Sequence, residues 1–199
     1  RWHPAYSGGQ LTDWGGHHPD CAQWGLGTER SGPVAIKNQK AQWAKHPVYN
    51  TATEYYFECH YASGVKMLIA NRDHRPADER EVRWRGGATF IGEDGWVWAD
   101  RGRHDASSKA ILKEEIGPDE THLYQSDNHV KNFIDCMFSR KETVAPVEIA
   151  HRSISLAHLG NISMRLGRDL KWAPSKEQIT GDKSASEMLS RPYRKPWKI

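Results

Sequence analysis

The chain lacks most features that would announce a class of protein outright. Its 199 residues include only three cysteines, Cys21, Cys59 and Cys136, odd in number and widely spaced. That spacing argues against a disulfide framework and a Cys-x-x-Cys metal site, and leaves three thiols expected to be buried. No window approaches the roughly 18 consecutive apolar residues of a membrane-spanning helix, so no membrane partner is expected. Charge of one sign is also scarce: 28 basic residues face 25 acidic ones, a net of +3, with both signs spread along the chain. A broad nucleic-acid-binding surface is therefore not indicated. The one basic cluster, Arg191 to Lys198, carries two prolines and two aromatics and reads as an extended tail. There is no Gly-x-Ser-x-Gly elbow. Nor is there a strand, G-x-G-x-x-G turn and helix to seat a dinucleotide.

What is present is the material for one globular domain, with 37% hydrophobic residues and nine tryptophans. Most of those tryptophans belong to core or interfaces, although aromatic faces also suit sugar C–H groups. The most informative stretch is Asp13-Trp14-Gly15-Gly16-His17, which sets a carboxylate and an imidazole four residues apart. On a helix the two stand on one face, one turn apart. A carboxylate beside an imidazole fixes its tautomer and favours its charged form, which suits proton exchange with a hydroxyl or carbonyl. Four glycines, Gly8, Gly9, Gly15 and Gly16, surround the pair at a cost of about 1 kcal/mol each in a helix. Such glycines let backbone or ligand approach closely. Asp13 and His17 are thus the candidate catalytic residues, with Trp14 and His18 expected against the substrate. His17, His18, Asp13 and Asp20 are numerous enough for zinc or iron, but adjacent histidines on a helix point about 100° apart. No metal site is expected, and Asp20 reads as a helix-packing residue.

Residues 9–26 read as the first helix, with a kink or break just after His18 imposed by Pro19. From Val34 to Glu115 the period changes to two. Tyr55, Phe57, Cys59 and Tyr61 form one face of a strand, and turns at Ala62-Ser63-Gly64 and Glu93-Asp94-Gly95 predict two hairpins. Val34–Trp43, Glu81–Arg85 and Ala110–Glu114 add strands, giving about five to seven in an antiparallel-rich sheet, with a surface loop from His74 to Arg80. Val130, Phe133, Ile134, Met137 and Phe138 at i, i+3, i+4, i+7 and i+8 predict an amphipathic helix ending at Arg140-Lys141. A further helix spans Val147 to Leu166, burying Ala150, Ile154 and Ala157 and stopping at Gly167. The domain is expected to end near residue 170, leaving 171–199 as an extended tail with at most a short helix near Ala185–Leu189. Strands followed by helices, without strand–helix alternation, give an α+β fold with helices on one face of the sheet.

At Gly8-Gly9-Gln10-Leu11-Thr12-Asp13-Trp14-Gly15-Gly16-His17-His18-Pro19-Asp20 the chain resembles the C-terminal domain of the glucose-fructose oxidoreductase / inositol dehydrogenase / rhizopine-catabolism (Gfo/Idh/MocA) family. Val147-Glu148-Ile149-Ala150-His151-Arg152-Ser153, Arg165-Leu166-Gly167-Arg168 and Met188-Leu189-Ser190-Arg191-Pro192-Tyr193-Arg194 resemble a bacterial subgroup of it. The resemblance implies an open-faced, largely antiparallel mixed sheet whose bare side pairs with another subunit, hence a homo-oligomer. That bare side is expected to be rich in Tyr, Trp and Ile. It also implies a sugar or polyol substrate and NAD or NADP as cofactor, with Asp13 and His17 against the reacting hydroxyl. The family's Rossmann domain and its Glu-Lys-Pro motif are missing, so the chain reads as the C-terminal part of a longer enzyme. Two other classes stay open on the same residues: a stand-alone carbohydrate-binding or scaffold domain, and a cofactor-independent sugar lyase or isomerase.

Overall fold

The computed structural model of the chain describes residues 1–71 and 86–197. Two short helices, α1 (Gln10–Trp14) and α2 (His18–Gly25), precede strands β1 (Ala35–Trp43), β2 (Ala52–His60) and β3 (Lys66–Ala70). Strands β4 (Ala88–Ile91), β5 (Trp96–Asp100) and β6 (Arg103–Ala106) follow, then α3 (His129–Ser139) and α4 (Val147–Leu166). The chain closes with β7 (Leu170–Ala173), β8 (Gln178–Ile179) and α5 (Lys183–Ser186). One sheet has the order β3-β2-β1-β7-β8 and a smaller one the order β4-β5-β6, with every described pairing antiparallel. The mixed α+β architecture and both hairpins agree with the sequence reading.

The core lies on one side of the larger sheet. Period two places Tyr55, Phe57 and Cys59 of β2 beside Ala41 and Ile36 of β1, and beside Ile69 and Met67 of β3. Leu11 of α1, Leu156, Leu159 and Ile162 of α4, and Ala185 of α5 complete the same buried cluster. Gly160 permits this approach, since a Cβ there would stand 2.3 Å from the Phe57 ring. Several such side chains, each contributing about 1.5–3 kcal/mol on burial, hold α4 to the sheet.

The other side of the sheet differs from expectation. Rather than being rich in Tyr, Trp and Ile, it presents Lys37, Lys40 and Gln42 opposite Glu58, Tyr56 and Glu54, with His60, Lys66 and Leu68 alongside. Tyr56 donates to Glu58 at 2.8 Å, and the His60 ring lies 2.8 Å from the other Glu58 oxygen. Burial works to raise the Glu58 pKa, but hydrogen bonds from Tyr56, His60 and Asn38 outweigh it and hold the carboxyl below its ordinary value. Alternation along β2 and the register shift in β1 between Lys37 and Lys40 together put these polar residues on one face.

Several other expectations need correction. The first helical segment breaks before His18, at Gly15–His17, rather than after it, because Pro19 fits the first turn of a helix, where its missing N–H costs nothing. Ala110–Glu114 is not a strand; Ile111–Lys113 form a single 3-10 turn. Residues after 170 do not simply trail away, since β7 pairs with β1 at Ala35 and Ile36 and β8 pairs with β7. The short helical stretch near Ala185–Leu189 is present, starting at Lys183. Helix α4 matches its predicted span and stops at Gly167, but Ala150 is exposed, because its first turn lies beyond the sheet's cover. Cys59 and Cys136 are buried, whereas Cys21 is exposed on α2. The expected loop His74–Arg80 and strand Glu81–Arg85 lie outside the described residues. No described helix is long and apolar enough to cross a membrane.

Candidate functional site

The candidate site is built on the interruption between α1 and α2. Gly16 and His17 donate backbone hydrogen bonds to the carbonyls of Asp13 and Trp14, closing short turns instead of continuing the helix. Gly15 is required at the join: a Cβ there would meet the Leu11 carbonyl at 2.1 Å and the Ala157 methyl at 2.8 Å. Asp13 therefore ends one helix while His17 caps the next, and the one-face geometry of an unbroken helix does not apply. A break frees backbone groups and side chains from the helical lattice, which suits a place where a ligand must fit.

Asp13 is ion-paired with Arg1 at 2.8 Å, both groups partly open to solvent. Beneath it the Tyr55 phenol is pushed up to about 12, first by burial and then by the Asp13 charge. The His17 ring is exposed and lies edge-on to Trp14 at 5.8 Å between centroids. Trp14 in turn keeps 40% of its surface exposed, flanked by His18 at 5.1 Å and capped by the Arg101 guanidinium at 5.4 Å. The site is thus an aromatic plate edged by an imidazole, near a carboxylate and two arginines.

His18 has a different situation from His17. Its Nδ1 accepts from the Gly87 N–H at 3.2 Å, so the proton of the neutral ring resides on Nε2. Nε2 stands 3.8 Å from Asp100, too far to bond, and is buried without a hydrogen-bond partner. Burial lowers the His18 pKa more than the Asp100 charge raises it, so the ring is held neutral. Asp100 keeps its own charge through the Arg101 backbone N–H and through Arg103, whose guanidinium lies at 2.5 Å. His18 accordingly ties α2 to the smaller sheet. Asp20 ties it to α4, accepting from Ser153 at 2.5 Å.

The structure brings Trp14 against His17 and His18 at the break, while Asp13 pairs with Arg1. It adds Arg1, Gly87, Asp100, Arg101 and Ser153, which the sequence reading did not select. Only the Asp100-Arg101-Gly102-Arg103 hairpin turn had a local signal; the rest arrive through tertiary contact. A cleft of about 640 Å³ is lined by Gly86, Trp98, Gly102, Arg103 and His104, with Gly86 also against His18. Among the described residues no three His, Cys, Asp or Glu side chains gather as a metal site.

An antiparallel sheet covered by helices on one side, with a polar outer side and a broken helix pair at one end, defines an α+β domain. The chain belongs to the Gfo/Idh/MocA oxidoreductase family: residues 1–199 match that family's C-terminal alpha/beta domain. No curated protein and no solved structure matches it.

Proposed function

We propose that this chain is the substrate-binding domain of an NAD(P)-dependent oxidoreductase acting on a sugar or polyol hydroxyl. The observation that carries the reading is the glycine break, which leaves the His17 ring exposed at the edge of the Trp14 plate. The Trp14 face packs on substrate C–H groups, as aromatic plates do on sugars. His17 takes the proton of the reacting hydroxyl, and Asp13, ion-paired with Arg1, orients the polyol. His18, with its ring fixed on Gly87, sets the position of the plate.

The described strand pairings are all antiparallel, and no G-x-G-x-x-G turn of the kind that seats a dinucleotide occurs in the sequence. The hydride acceptor belongs to a dinucleotide-binding domain outside these residues. This chain contributes binding, orientation and proton transfer. Oligomerisation is proposed through the open sheet face, where lysines and glutamates in neighbouring rows form a surface of both signs that a second copy complements.

The test is turnover of a sugar and polyol panel by the natural full-length product with added NAD or NADP. Substituting His17→Ala lowers kcat/KM by about 10²–10⁴-fold, the usual range for removing a general base. The binding-module reading predicts no turnover by the wild type. The lyase or isomerase reading predicts turnover without nucleotide.

A further inference from the structure

No residue of β4, β5 or β6 belongs to the buried cluster under the larger sheet, yet the smaller sheet is seated closely on α2. The Gly87 N–H donates to His18 Nδ1 at 3.2 Å, and the Phe90 ring lies so near Gly25 that a Cβ there would meet it at 2.4 Å. These two anchors bring the turn between β5 and β6 to the break between α1 and α2. Within that turn Gly102 takes φ +65°, and the Asp100 carboxylate accepts from the Arg101 N–H and from the Arg103 guanidinium. The turn is thereby fixed, with Arg101 at its tip and its guanidinium over the Trp14 indole at 5.4 Å.

A guanidinium stacked on an indole uses its flat face, which leaves its N–H donors at the edge, in the plane where an oxyanion binds. Among the described residues nothing takes those donors: the Arg101 side chain has neither a carboxylate at ion-pair distance nor a hydrogen bond. The acids nearby have partners of their own. Asp13 is paired with Arg1, Asp20 accepts from Ser153, and Asp100 holds Arg103. Of the three arginines around the plate, Arg101 is therefore the one with no counter-charge among the described residues. A single uncompensated charge matches a monoanion, and the planar fork matches the two oxygens of a carboxylate. A phosphate monoester carries nearly two charges and would leave one unmatched.

We infer that Arg101 selects the substrate by a carboxylate, so that the hydroxyl oxidised belongs to a sugar acid rather than to a neutral sugar. This rests on the function proposed above and names its substrate class. The ring of the sugar acid lies on Trp14 beside His17, and the carboxylate at its periphery takes the edge of the Arg101 guanidinium. Arg101 is a specificity residue here, with no part in proton transfer. The bond between His18 and Gly87 gains a second consequence, since it holds the selecting charge at the plate. Because Arg101 is open to solvent, the selection is modest and is screened by salt.

The experiment is a calorimetric titration of the natural full-length product with glucuronate, galacturonate and mannuronate, each beside its uncharged carboxamide, and with glucose 6-phosphate. Turnover of the same compounds is assayed with NAD and NADP. The carboxamide keeps the shape of the acid and removes its charge. The inference predicts at least one acid bound about fivefold more tightly than its amide, with the ratio falling toward one in about 0.5 M salt and in Arg101→Gln. Arg101→Lys keeps part of the preference, because an ammonium has the charge without the planar fork. The comparisons of acid with amide and of low with high salt are made on the wild type and depend on no variant. Acid and amide bound equally, both lost in Trp14→Ala, overturns the inference and spares the proposed function. A preference for the acid that survives Arg101→Gln overturns the assignment to Arg101, and a phosphate bound more tightly than every acid overturns the assignment to a carboxylate. A preference lost in Arg101→Gln, without turnover under either nucleotide, overturns the proposed function and spares the carboxylate site. No binding of any compound overturns both.

Discussion

Helices α3 and α4 are both predicted by apolar residues at helical spacing, and both fold where predicted, but they spend those residues differently. In α4, Leu156, Leu159 and Ile162 are 1%, 1% and 5% exposed against Phe57 and its neighbours. In α3 the better-formed stripe faces outward, and the inward positions are a half-buried asparagine and a buried cysteine. Periodicity therefore reports that a helix forms and which of its faces is apolar, not what covers that face. Among the described residues no strand or other helix packs extensively on the α3 stripe.

Substitutions separate the two helices. Leu159→Ala removes a fully buried side chain and costs about 3 kcal/mol, a drop of about 6–12 °C in the melting temperature of a chain this long. Gly160→Ala drives a methyl into the Phe57 ring and costs about 2 kcal/mol, readable in the same thermal melt. Ser153→Ala leaves the Asp20 carboxylate without its donor and costs about 1–2 kcal/mol in urea unfolding, with the slope unchanged. Phe138→Ala on α3 changes the stability of the 199-residue chain by less than about 0.5 kcal/mol. A large loss from Phe138→Ala would place α3 in this chain's own core and dissolve the contrast.

A smaller effect is expected from His18, whose pKa is lowered in the folded state chiefly by burial. A histidine with a depressed folded pKa binds fewer protons folded than unfolded between the two values. Its contribution to stability is thus present above the unfolded value of about 6.5 and is lost as pH falls toward the folded one. Thermal melts from pH 7.5 to 5 fall in the wild type and fall less steeply in His18→Gln. A slope identical in both places His18 in solvent.

Much of the fold was legible because its signals are local. The alternation through Tyr55, Phe57 and Cys59, the two hairpin turns and the Val147–Leu166 span each follow from neighbouring residues. What escaped was non-local. The polar outer face of the sheet depends on which residues of β1 and β3 pair with Tyr56 and Glu58. The β7 strand depends on Leu170 meeting Ile36, more than a hundred residues away. At the candidate site, the motif singled out Asp13 and His17 for the proposed roles, and Pro19 announced a break but gave its position wrongly, because Gly15 and Gly16 yield more readily than a proline already suited to a first turn. The role of His18 was hidden, since Gly87 and Asp100 reach it only through the fold.

The most direct test of the account is an amide and side-chain NMR titration of the 199-residue chain with neutral sugars and polyols. The account predicts shifts gathered on the Trp14 indole, Gly15, Gly16 and the His17 ring, abolished by Trp14→Ala in a chain that keeps its fold. Shifts gathered instead on Trp98, Arg103 and His104, or unchanged in Trp14→Ala, would contradict it by moving the binding site away from the broken helix.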